Sequence, residues 1–143
     1  MKTIMKTILQ VINEKLKIKT VITQAEKRKI QRAIYKELQR TNSTGRFYSD
    51  EHWAGVDTVM KDIDNALSAL FRTTKHEYEA ILRVEHGGYR KTKEGDAQWK
   101  EYILEIFVKG QEEPFLTGIL NCHAAGTIDD PFSMYDITLQ ILV

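Results

Sequence analysis

Four cations, Arg28, Arg32, Lys36 and Arg40, stand four residues apart in the stretch AEKRKIQRAIYKELQR (residues 25–40), and no acid stands four residues from any of them. On a helix, side chains at that spacing are neighbours, and like charges there weaken it by about 0.2–0.5 kcal/mol per pair. Such a face can neutralise phosphates and bind nucleic acid in a salt-dependent way. No helix-turn-helix spacing, zinc finger or aromatic RNA-binding motif accompanies it. An acidic surface of the same chain, of a second copy or of a partner would compensate the ladder equally well.

A second group with chemical potential is GGYRKTKEGDAQW (residues 87–99), where Tyr89 and Trp99 flank Arg90, Lys91 and Lys93. Aromatic rings beside cations suit base stacking with phosphate contact. The same composition also describes the tip of a solvated hairpin. A third group is NCHAAGTIDDP, with Cys122 beside His123 and Asp129-Asp130 following. Neighbours on a strand point to opposite faces, so Cys122 and His123 do not make a nucleophile–base pair. The turn chemistry of Gly126 and Asp129-Asp130-Pro131 explains the rest. His52, His76, His86 and His123 are scattered, without the spacing of a zinc site, and HGGYRK lacks that of a phosphate-binding loop. The expectation is therefore of no catalytic residue, no metal and no cofactor.

Composition sets the frame for these groups. The chain has 143 residues, 42% apolar and 29% charged, which is ordinary for one globular domain with its own core. No apolar run approaches the ~20 residues of a membrane helix, and the N-terminal ILQVI is too short for a signal peptide. A lone cysteine, Cys122, excludes an internal disulfide and suits a reducing, cytoplasmic setting. The net charge of +1 conceals an asymmetry: residues 1–46 hold 12 Lys/Arg and 3 Asp/Glu, whereas residues 47–143 hold 9 and 17. That division is a sign either of polyanion binding or of one half meeting the opposite charge of another surface.

The elements that position these groups follow from periodicity. Ile4, Ile8, Val11, Ile12 and Leu16 predict a helix over residues 3–17. Thr23 and Glu26 form a capping box that starts a second helix near Gln24, with Ile30, Ile34 and Leu38 as its apolar stripe. The cationic ladder fills the opposite side. TNSTGRF ends that helix, and Ser49-Asp50-Glu51 opens a third, with Trp53, Val56, Met60, Ile63, Leu67, Leu70 and Phe71 on its apolar face through about residue 72. Gly55, inside it, is expected to cost about 1 kcal/mol against alanine.

Beyond Thr73 the period becomes two. Tyr78–Val84, residues 99–108, FLTGILNC and Tyr135–Ile141 read as strands, with HGGYRKTKEGDAQ as a long loop. The expected fold is a single α+β domain over residues 1–143, with a helical half at 1–72 and a sheet half at 76–143. Three N-terminal helices precede a four-stranded antiparallel meander and pack on one face of the sheet. If they cover Tyr102, Leu104, Ile106 and Val108, the other face carries Glu79, Glu85, Glu101, Glu105 and Asp136 around Ile81, Trp99, Ile103, Phe107 and Ile119. Acids mixed with large apolar groups in a contiguous patch mark a binding surface.

The functional expectation is thus a non-enzymatic interaction module, a homo-oligomer or partner-binding protein that acts through Trp99, Glu101, Ile103, Glu105 and Phe107, without membrane association. The alternative is a nucleic-acid-binding accessory protein using Arg28, Arg32, Lys36, Arg40, Arg90, Lys91 and Lys93.

Overall fold

The computed structural model describes residues 21–48, 55–92, 95–125 and 134–143. The predicted helix over 3–17, the Ser49 start and Trp53 lie outside them. Helix α1 (Gln24–Thr41) begins as its sequence dictates: the Thr23 hydroxyl oxygen accepts the Glu26 backbone N–H at 3.2 Å. Ile30, Ile34 and Leu38 are buried along one side. The helix stops at Asn42, which is left-handed with φ 54°. The turn that follows is held by a buried acid of the next helix, Asp62, only 4% exposed. Its carboxylate accepts the Thr41 hydroxyl at 2.6 Å and, closer still, the Ser43 hydroxyl.

That turn delivers the chain into a short strand, β1 (Gly45–Tyr48), where the sequence predicts only a helix terminator. Four residues are too few to show a period, but Phe47 is buried and anchors the strand in the core. Helix α2 (Val56–Thr74) then runs back against α1, burying Val59, Ile63, Ala66, Leu67 and Leu70. Gly55 is its N-cap with extended backbone, not an interior residue, so the expected helix penalty is not incurred.

Four strands follow: β2 (Tyr78–Thr92), β3 (Gly95–Val108), β4 (Leu116–Ala125) and β5 (Met134–Leu142). They form the predicted antiparallel meander, and β1 adds outside β5, giving a five-stranded sheet in the order β1-β5-β4-β3-β2. The helix and strand counts therefore differ from expectation: two helices are described, with a fifth strand between them, and the α+β class holds.

The long loop is also corrected. After a bulge between Val84 and His86, β2 and β3 stay paired up to Thr92 and Gly95. HGGYRKTKEGDAQ has no apolar alternation to announce strands. What seats the arms is Trp99, whose indole lies so close over Gly88 that a Cβ there would overlap it.

Both helices pack on one face of the sheet. Leu104, Ile106, Val108, Leu116, Leu120, Cys122, Ile137 and Ile141 are buried beneath them. Helix α1 lies on the β5 side, where Gln31 donates to the Ile141 carbonyl at 2.9 Å and the Tyr35 hydroxyl accepts the Ile141 N–H at 2.8 Å.

Candidate interaction surface

The face of the sheet opposite the helices collects the alternate residues of every strand. Trp99, Glu101, Ile103, Glu105 and Phe107 form one stripe along β3, as their spacing predicts. Register sets their neighbours. Ile103 lies opposite Ile119 of β4 and diagonal to Ile81 of β2; Phe107 lies opposite Glu79; Trp99 lies opposite His123. Ile81 is 45% exposed, Trp99 39%, and Leu142, at the far end of β5 on this same side, 47%. No described helix or strand covers them.

The acids of this face are less free than composition implies. Arg83 reaches Glu85 at 2.5 Å and Glu105 at 3.1 Å, and Arg46 of β1 reaches Asp136 at 3.2 Å. Hydrogen bonding and charge from Glu105 and Glu85 raise the Arg83 guanidinium above its ordinary value. The His86 ring lies 3.8 Å from the Glu101 carboxylate. Of the five acids, Glu85, Glu105 and Asp136 each have an arginine partner among the described residues. The face is a mixed-charge frame around an apolar centre, and Arg46 and Arg83 are the members that sequence reasoning missed. Arg83 was visible as an alternating strand position. Arg46 was hidden because β1 was.

On α1 the pattern reverses. Arg28, Arg32 and Lys36 are exposed on the solvent crest and have no acidic partner among the described residues. Arg40 does have one, at a spacing of three and not four: it pairs with Glu37 at 2.6 Å. That hydrogen bond holds the Glu37 carboxyl below its usual range and raises Arg40. Of the hairpin cations, Arg90 and Lys91 are neighbours on β2 and so take opposite faces, and Lys93 lies outside the described residues. The ladder and the hairpin cations do not form one patch, since α1 lies on the β5 side and α2 stands against β2.

The remaining chemical candidate is Cys122. It is buried beneath the helices, while His123 faces the other way. A cavity of about 200 Å3 near the start of α2 is lined by Val56, Lys100, Tyr102, Cys122 and Tyr135. Burial raises the thiol above its ordinary value, and burial likewise raises Tyr102 and Tyr135. A thiol kept protonated is a poor nucleophile. Among the described residues no three His, Cys, Asp or Glu side chains converge as metal ligands would, and no helix is long and apolar enough to cross a membrane.

The chain matches no protein-family model, no curated protein and no solved structure.

Proposed function

We propose that this protein is a non-enzymatic interaction module that associates with a second copy through the uncovered face of its sheet. The observation that carries this is the apolar cluster of Ile81, Ile103 and Ile119 across three adjacent strands, with Trp99 and Phe107 at its ends. A second copy suits it because a two-fold interface is self-complementary. Arg83 stands among Glu79, Glu85 and Glu105 at the β2–β3 side while Arg46 lies at the β1 edge beside Asp136, so rotation about a central axis can set cation against acid.

Size supports the same reading. Five strands about 4.8 Å apart, averaging about ten residues each at about 3.3 Å, outline about 800 Å2 before side-chain relief. A standard interface takes about 800 Å2 from each partner.

Light scattering over a concentration series tests the proposal. The wild type is expected at twice the chain mass, with Phe107→Glu reducing it to one chain while circular dichroism stays native. Ile81→Lys, at a more exposed position, is the second variant should the first not fold. A wild type that stays at one chain mass throughout overturns the reading.

A second reading rests on Arg28, Arg32 and Lys36, exposed cations with no acid beside them among the described residues. Nucleic-acid binding through the α1 crest would appear as oligonucleotide affinity that falls steeply with salt. Loss of each phosphate contact lowers the log–log slope by about one. Absence of binding at low salt removes this reading.

A further inference from the structure

On the side of the molecule away from the sheet face, the seam between α1 and α2 opens into a groove of about 380 Å3. Its floor is Ala33 of α1 with Ala66, Ala69 and Leu70 of α2. Its two banks differ. The α1 bank carries Lys29, Lys36 and Arg40, and its one acid, Glu37, is already bound to Arg40. The α2 residues that line the groove, Asn65 and Thr73, are uncharged, and the buried Asp62 of α2 acts on the Arg40 end of the opposite bank. Lys29 crosses the seam to Thr73 at 3.3 Å, which closes the groove at one end.

We infer that this groove docks an amphipathic helix of a partner protein, with its apolar stripe on the alanine floor and acidic residues along one flank against Lys29, Lys36 and Arg40. The alanines let a third backbone come close, and helix-in-groove recognition reads anchors on one face of the ligand. The one-sided charge sets the ligand's pattern. Lys36 lies about 10 Å along α1 from Lys29, and Arg40 about 6 Å further. A helix of about three turns, with acids spaced by seven and then four residues on one flank, complements the bank.

A phosphate backbone would use the cations and gain nothing from the floor. The chain's own first 20 residues carry five lysines and one glutamate, the wrong sign for this bank.

The test uses the full chain and two labelled peptides of about 18 residues, each with a leucine stripe. One carries Glu on a single flank at the matched spacing, and the other carries Lys at the same positions. Fluorescence anisotropy is expected to show the Glu peptide binding at least about tenfold more tightly than the Lys peptide, as charge complementarity requires.

Ala69→Trp fills the floor at an exposed position, and Lys36→Glu reverses the bank. Each is expected to weaken the Glu peptide by about tenfold or more, while Arg28→Gln, on the crest, leaves it unchanged. Equal affinity for the two peptides overturns the inference. So does Glu-peptide binding that is insensitive to Ala69→Trp but falls with Arg28→Gln, which marks a general anion effect. Competition by an oligonucleotide or by anionic phosphatidylglycerol vesicles, also insensitive to Ala69→Trp, assigns the bank to a polyanion or a lipid surface and overturns it too.

Discussion

The sheet face that no described helix or strand covers and the crest of α1 use similar residue types in opposite arrangements. On the sheet, charges are joined across strands and the apolar side chains remain in solvent: Arg83 links Glu85 and Glu105 while Ile81 is exposed. On α1, the apolar side chains are sealed in the core and the charges are left apart: Ile30, Ile34 and Leu38 are buried while Arg28, Arg32 and Lys36 repeat along the crest. A surface that has settled its own electrostatics and kept its oil exposed is prepared for contact by burial. A surface that has buried its oil and left like charges in a row is prepared for an opposite charge. The two regions therefore respond to different perturbations.

The largest effect is expected from disturbing the apolar side of this comparison. Gly88→Ala places a Cβ against the Trp99 indole. Relieving such overpacking typically costs about 1–3 kcal/mol, more than the ~0.4–1 kcal/mol gained by restricting the unfolded chain. Denaturant titration should show a loss of about 1–2 kcal/mol, with a change in tryptophan emission. An unaltered midpoint would mean that the indole does not hold the hairpin.

Next comes the charged side, with the opposite sign. Arg32→Glu replaces two repulsive contacts, with Arg28 and Lys36, by two attractive ones. It should stabilise the protein by about 1 kcal/mol at low salt, and less as salt rises. Destabilisation there would show that the ladder is already compensated.

The smallest effect is expected of Arg83→Gln. Its pairs are more than half exposed on the arginine side, so stability should change by no more than about 1 kcal/mol. The face would nevertheless become more acidic, and self-association should weaken, more at low salt than at high. An unchanged association constant would separate the charged frame from the interface.

Much of this was readable from the chain. The Thr23–Glu26 box, the Ile30–Ile34–Leu38 stripe and the alternation through Leu104 and Ile106 each encode structure within a few residues, and each sits where its period puts it. What was hidden depends on partners distant in sequence. β1 is four residues long and is a strand because β5 is beside it. The hairpin arms lack period-two alternation and are held by register and by the indole over Gly88. The pairing of Arg46 and Arg83 is fixed by which residues stand opposite them, which spacing along one strand does not reveal. Glu37–Arg40 was local, but lay at a spacing of three where the charge ladder was followed at four. The alanine floor of the groove had no signal at all, because small residues on a helix announce nothing until a second helix lies beside them.

The closure of Ile141 by Gln31 and Tyr35 has a consequence for higher-order assembly. A β-sheet can recruit strands from other molecules at either rim, and a protein with two serviceable rims can polymerise. Here one rim is β2, fifteen residues long. The opposite rim offers the four residues of β1, and just beyond them two side chains of α1 already occupy the backbone groups of Ile141. Head-to-tail addition thus has a donor end and almost no acceptor end. Among the described residues the one long rim is β2, and a pairing of two β2 strands consumes both long rims and stops at two chains, so the tether that fixes α1 on the sheet also disfavours growth into fibres.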